Sequence, residues 1–185
     1  MLTSTLTLLR DELKEFLTPR FTDNSFEVKV RKLVGSDGKV VPNKEHHEVA
    51  LTLMNIQEER NMHHSRTSDP SQPYCLNLTL LFSIHEREGD ALSEEAHLEA
   101  MMLLDGVLQF FQQNSYFTTH SHPNLPEGIQ HLQFMLASEE LRESSYIWTM
   151  TGAKHAPSVL YRVRSVMVGS SLVHSPPSNA VSLRI

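Results

Sequence analysis

The side chains best suited to chemistry in this 185-residue chain are its eleven histidines. His46-His47 and His63-His64 are adjacent pairs in expected loops, where neighbouring side chains diverge. His120 and His122 flank a serine and in an extended segment face the same way, as two imidazoles sharing a metal must. Glu94 and His97 form one E-x-x-H pair, but a di-metal carboxylate site takes two such motifs and two further glutamates from four helices. The histidines therefore read as solvated or hydrogen-bonded residues, with adventitious metal binding by some pair as the alternative. Cys75, the single cysteine, falls in a strongly apolar strand pattern. That fits a buried thiol rather than a nucleophile, leaves no internal disulfide, and is compatible with a reducing cytoplasm. "GSDGK" puts a lysine after a glycine without phosphate-loop spacing or a following Ser or Thr, so it reads as a hairpin turn. No G-x-S-x-G elbow occurs. The residues thus assign no catalytic group, no cofactor and no metal.

Charged residues offer a different kind of site. Lys29 and Arg31 share the polar face of the first expected strand, and Arg162 and Arg164 share that of the last. Two readings stand: a solvated sheet face, or a basic patch that docks an acidic surface of another subunit. Nucleic acid is not an expected partner, because the formal charge is -6 and the basic residues form no dense run. Membrane insertion is not expected either, since no apolar run approaches the ~20 residues a spanning helix needs. "MLTSTLTLLRDELKEFL" lacks the basic start of a secretory signal and runs into Asp11, Glu12 and Glu15, so it reads as a helix that is kept.

The elements that must position these residues follow from periodicity. Leu2, Leu6, Leu9, Leu13 and Phe16 recur at helical spacing before Pro19, predicting an amphipathic helix over residues 3–17. Phe26, Val28 and Val30 alternate with Glu27, Lys29 and Arg31, a half-buried strand. "EVALTLMNI" is apolar on both faces and reads as a central strand. Residues 57–73 hold few apolar positions and read as a long mobile loop. In "PYCLNLTLLFSIHE" Leu76, Leu78, Leu80, Phe82 and Ile84 fall on one face of a core strand. The long helix that follows carries a polar stripe of Glu95, Glu99, Gly106, Gln109 and Gln113, and is expected to meet the core strand through Leu104, Leu108 and Phe111. "IQHLQFMLA" reads as a strand. Ser138 is expected to cap a short helix opening with Glu139 and Glu140 and ending at Gly152. "SVLYRVRSVMV" is the last strand of the domain. The fold class is α+β: a mostly antiparallel sheet with helices packed against it. The expected organisation is one domain over 1–168, a Gly/Ser/Pro linker over 169–179 and a strand-like tail over 180–185.

In that tail, Val181, Leu183 and Ile185 alternate with Ala180, Ser182 and Arg184 behind Pro176 and Pro177. Six such residues cannot bury their apolar side alone. They pair with an edge of their own domain, with the adjacent copy in an assembly, or with another protein's sheet.

Four ordered segments carry a family resemblance: "PYCLNLTLLFSIHE", "LLDGVLQFFQQNSYFT", "LPEGIQHLQFMLAS" and "IWTMTGAKHAPSVLYRVRSVMV". Over roughly residues 2–168 the chain resembles the N-terminal domain of the cap, or tail-terminator, proteins of extracellular contractile injection systems, the phage-tail-like particles that include the Photorhabdus virulence cassettes and the antifeeding prophage. The resemblance implies a non-enzymatic structural protein forming a six-membered ring at the particle end far from the baseplate, where it ends growth of inner tube and outer sheath. It implies tube and sheath proteins and further copies of the chain as partners, and assembly in the cytoplasm into a particle that can be released. An assembly adaptor or chaperone, and a metal-dependent enzyme using the His-rich loops, remain as alternatives.

Overall fold

A computed structural model describes residues 1–21, 26–35, 46–59, 74–87, 93–138 and 141–168 of the chain. Its order is α1 (Leu2–Leu17), a 3-10 turn (Thr18–Arg20), β1 (Phe26–Val30), β2 (His47–Glu58), β3 (Tyr74–His85), α2 (Glu94–Gln113), β4 (Tyr116–Thr118), β5 (His131–Ala137), α3 (Leu141–Thr151) and β6 (Ser158–Val168). The six strands form one sheet in the order β1-β2-β3-β6-β5-β4. The α+β class holds, and β4, three residues long, is an element that the sequence reading lacks.

One expectation is corrected. β1 runs parallel to β2, with Phe26 opposite His47 and Val30 opposite Leu51. A tight hairpin can join only antiparallel neighbours, so the connection between them crosses over. The "SDGK" part of the expected turn lies outside the described residues. The other pairings are antiparallel. Gln57 and Glu58, expected in the loop, belong to β2. Residues 60–73, Glu139 and Glu140, and the whole segment 169–185 lie outside the described residues.

Alternation along the strands divides the apolar side chains between two faces. On the first face, Phe26, Val28, Val49, Leu51, Leu78, Leu80, Phe82, Ile84, Tyr161 and Val163 meet α1 and α2 in the main core. α1 contributes Leu9, Leu13 and Leu17, all fully buried. Leu2, Leu6 and Phe16, three of the five positions read as its buried stripe, are only partly covered. From α2 come Ala100, Leu103, Val107, Phe110 and Phe111. Phe111 is placed as expected, its ring 5.1 Å from that of Phe82 and 4.2 Å from Tyr161. Leu104 is only partly buried and Leu108 is not in this core, because the face that meets the sheet is centred on Leu103 and Val107. Gly106 is not on a polar stripe: a Cβ there would lie 2.5 Å from Leu17 Cδ2, so glycine is what lets α1 and α2 approach.

On the second face, α3 seats Trp148 over Leu81 and Leu160, with Leu33, Ala50 and Ala156 completing a smaller core. Gly152 closes α3 as expected: it takes φ +68°, and its N–H donates to the carbonyls of Trp148 and Thr149. α3 covers only part of this face. The strand positions beyond it bear the charged residues.

Candidate interface: the charged face and the two sheet edges

Glu48, the second residue of β2, has a side chain only 3 % exposed and carries the densest group of charges. Its carboxylate accepts a hydrogen bond from Arg31 Nε, and Lys29 Nζ lies 3.6 Å away. Lys29 also pairs with Glu27 across one strand turn. That hydrogen bond holds the Glu27 carboxyl below its usual range and raises the Lys29 ammonium. Arg31, just past the end of β1, is held by its backbone too: its N–H donates to Leu51 O at 3.1 Å, and its carbonyl accepts from Thr52 Oγ1 at 2.8 Å. Beside them Ser83 Oγ lies 2.9 Å from His85 Nε2. Burial, and then the Arg31 charge, push the His85 imidazole below its usual range and keep it neutral. Ser83 is fully buried, so its hydroxyl is part of the packing, while His85 is half-buried.

The second basic pair lies elsewhere on the same face. β2 and β3 separate β1 from β6, so Lys29 and Arg31 do not merge with Arg162 and Arg164 into one patch. Arg164 Nη2 donates to Glu59 Oε2 at 2.9 Å, and Asn77 Nδ2 donates to the same oxygen at 2.8 Å. Arg162 is exposed on the strand next to them. Cys75 is buried and its thiol is pushed up, first by desolvation and then by the Glu59 charge. Val181, Leu183, Arg184 and Ile185 lie outside the described residues.

The histidines are dispersed into separate contacts. His47 Nε2 lies 2.9 Å from Glu99, His97 Nδ1 lies 2.9 Å from Glu86, and His122 stacks on Phe117 at 3.6 Å between centroids. His97 pairs with Glu86 rather than with the Glu94 of its E-x-x-H spacing, and among the described residues no three His, Cys, Asp or Glu side chains gather to hold a metal. His63 and His64 lie outside the described residues. No helix among the described residues is long and apolar enough to cross a membrane.

The two edges of the sheet differ in a way that the sequence reading missed. The β1 edge presents the Glu27–Lys29 ion pair, a common device against unwanted strand pairing. At the other edge, β4 covers β5 only from His131 to Gln133. Phe134 N–H points outward and donates to Ser115 O at 2.9 Å. Antiparallel alternation then turns the N–H and C=O of Leu136 outward as well, where no described residue pairs with them. The Leu136 side chain is 52 % exposed. Beside it runs an open groove of ≈ 220 Å³ between α3 and the ends of β5 and β6, lined by Leu136, Ala137, Ile147, Trp148 and Leu160 among others. Leu136 belongs to an uninterrupted apolar run with no charge to guard it, and that absence of charge was the available signal.

Comparison with known proteins places this geometry. The fold matches the sheath/tube terminator of PVC, an extracellular contractile injection system, in its extended state, with a TM-score of 0.60 at 14% identity; the match covers 100% of this chain and 63% of that one. It also matches the anti-feeding prophage cap, a tube-terminating cap, with a TM-score of 0.58 at 13% identity, over 98% of this chain and 59% of that one. The chain therefore spans about three fifths of the length of either neighbour. No curated protein matches it. Residues 4–180 match the Pvc16 N-terminal domain, and with nearly the whole sequence inside that match the chain belongs to the Pvc16 N-terminal domain family.

Proposed function

We propose that this protein is a structural terminator of a contractile injection particle: copies of the chain form a ring of six on the end distal to the baseplate and stop growth of tube and sheath. The observation that carries this reading is the family match over residues 4–180, joined to a fold that follows both the PVC sheath/tube terminator and the anti-feeding prophage cap. The charged face favours a structural role over catalysis, because the serine of its Ser-His contact is buried and Lys29, Arg31 and Arg164 each have carboxylate partners within the chain. Copies of the same chain, the inner tube and the sheath are the partners on this reading. The chain assembles in the cytoplasm and leaves as part of the particle. It needs no cofactor.

Six-fold closure is expected because a terminator must match the symmetry of the tube it ends, and cyclic contacts are heterologous. Mass measurement on the ends of purified particles tests this: six copies at one end are expected, at a fixed low stoichiometry to sheath. One copy per particle, or a chain lost from particles on purification as an assembly chaperone is lost, overturns it.

A further inference from the structure

The four most exposed large apolar side chains among the described residues all lie on helices: Leu98 and Met102 on α2, Tyr146 and Met150 on α3, each 56–71 % exposed. Those exposed on strands, Val30, Ile56, Tyr116 and Leu136, are each less so. Both helix pairs have i, i+4 spacing, which sets two side chains together on one helix face. On α2 that face is turned away from Ala100, Leu103 and Val107 in the main core, and on α3 away from Trp148 in the smaller one. We infer that the Leu98–Met102 face of one copy docks on the Tyr146–Met150 face of a second copy, and that this contact, repeated from copy to copy, builds the ring on which it rests, the terminator ring proposed above.

Charge around the two faces is complementary. From Glu94 to Gln113 the chain has four carboxylates, those of Glu94, Glu95, Glu99 and Asp105, and no lysine or arginine, a formal charge of -4. From Leu141 to Val168 it has four bases, Arg142, Lys154, Arg162 and Arg164, against one acid, Glu143, a formal charge of +3. The four carboxylates of α2 are exposed, and so is Lys154 just beyond the end of α3. Glu99 and Arg164 already pair within the chain, with His47 and Glu59, so the outward charge of the acidic face comes from Glu94, Glu95 and Asp105. An apolar centre with charges of opposite sign around it is the arrangement that fixes which surfaces meet. Tyrosine and methionine also suit the centre of such a contact, since a thioether packs well on an aromatic ring.

Both halves of the match belong to this chain, which points to a second copy rather than to tube or sheath. α2 packs on one face of the sheet and α3 on the other, so the two surfaces look outward in opposite directions and one chain cannot bring them together. Contact of α2 with another α2 sets four carboxylates against four, a repulsive juxtaposition. The favoured contact therefore joins unlike surfaces. Each copy offers α2 to one neighbour and α3 to the other, the head-to-tail relation that closes a ring.

The test uses full-length chains on purified particles and a short bis-maleimide that joins two thiols. Cys75 is buried, and the unaltered chain serves as the blank. A chain carrying both Met102→Cys and Met150→Cys is expected to give a ladder of linked copies that ends at six, with joined peptides pairing position 102 of one copy with 150 of another. Either substitution alone is expected to give no link between copies. Links of 102 to 102 or of 150 to 150, links to tube or sheath protein, or no links at all overturn the inference. Met102→Asp and Met150→Asp, made singly, are expected to keep the urea midpoint of the parent, since both side chains are exposed, and to be lost from particle ends. Incorporation of either at the parent's level overturns the inference as well. Mass measurement on particles made with the unaltered chain separates this contact from the terminator reading. Six copies there without 102–150 links in the double variant refute the contact alone, whereas absence of a six-copy ring refutes the terminator reading and the contact with it.

Discussion

Replacing Glu48 by Gln is the most direct probe of whether Arg31 is a structural cation or a surface one. The Glu48 side chain is 3 % exposed and that of Arg31 13 %. The backbone of Arg31 is tied down by two hydrogen bonds, and its Nη1 donates to the Lys32 carbonyl at 3.2 Å. The substitution keeps shape and one acceptor oxygen but removes the charge, leaving a nearly buried guanidinium with no anion. Removing one partner of a buried pair costs about 3–5 kcal/mol. Because an amide oxygen still accepts from Arg31 Nε, the lower end, about 3 kcal/mol, is expected. For a domain of this size that lowers the melting temperature by about 6–12 °C. Arg31→Met is expected to cost less, about 1–2 kcal/mol, because Lys29 remains 3.6 Å from the carboxylate. Combining Arg31→Met with Glu48→Gln is then less damaging than the two single effects added together, by about 1–3 kcal/mol. Urea unfolding of the four proteins at pH 7 measures all of this. If Glu48→Gln stays within about 0.5 kcal/mol of the parent, the pair does not hold this corner of the sheet, and Arg31 is available to a partner after all.

Two further perturbations test the core and the neighbouring histidine. Phe82 is fully buried and packs edge-on against Phe111 and Tyr161, so Phe82→Ala is expected to cost about 3–5 kcal/mol; an unchanged melting temperature would show that β3 does not meet α2 there. His85 takes up a proton less readily in the folded chain than in the unfolded one, whose imidazole titrates at the ordinary value of 6.5. Its contribution is therefore present above that value and is lost as the pH falls through it, and His85→Gln is expected to flatten the decline of the urea midpoint between about pH 7.5 and 5. Parallel profiles for parent and variant would refute that assignment.

The parts of the fold that were legible in the sequence are those written in local period. β3 announces itself because Leu76 to Ile84 alternate cleanly, and both faces of β2 are apolar because it lies inside the sheet. Gly152 could be placed because a helix end needs a left-handed residue. What could not be read depends on partners distant in the chain. Five residues of alternation in β1 are the same whether the neighbour runs parallel or antiparallel, so the sequence alone reads as a hairpin there. Gly106 looks polar on a helical wheel, and only Leu17 of another helix explains it. The three residues of β4 are too short to show a period. At the charged face, the residue types of Lys29 and Arg31 were visible, but their shared partner Glu48 comes from the adjacent strand, and the register that brings it there is not a local property. The bare edge at Leu136 exists because β4 stops at Gln133, a mismatch of lengths that neither strand reveals alone.

The position of β6 between β3 and β5 also has a bearing on the order in which the domain can be built. Its partner β3 is far away in sequence: Leu81 and Leu160 are opposite one another although about eighty positions apart, and pairings of that range are slow because a long loop must close first. During synthesis the strands β1 to β3 emerge early, and β4 and β5 later, as two fragments with no neighbour in common. Each has an open flank until Ser158–Val168 arrives and joins them. A nascent or truncated chain lacking β6 is thus two half-sheets, prone to pair with strangers. Completion of the sheet is postponed to its last strand, so a chain in which β6 has not yet been made cannot present the finished sheet.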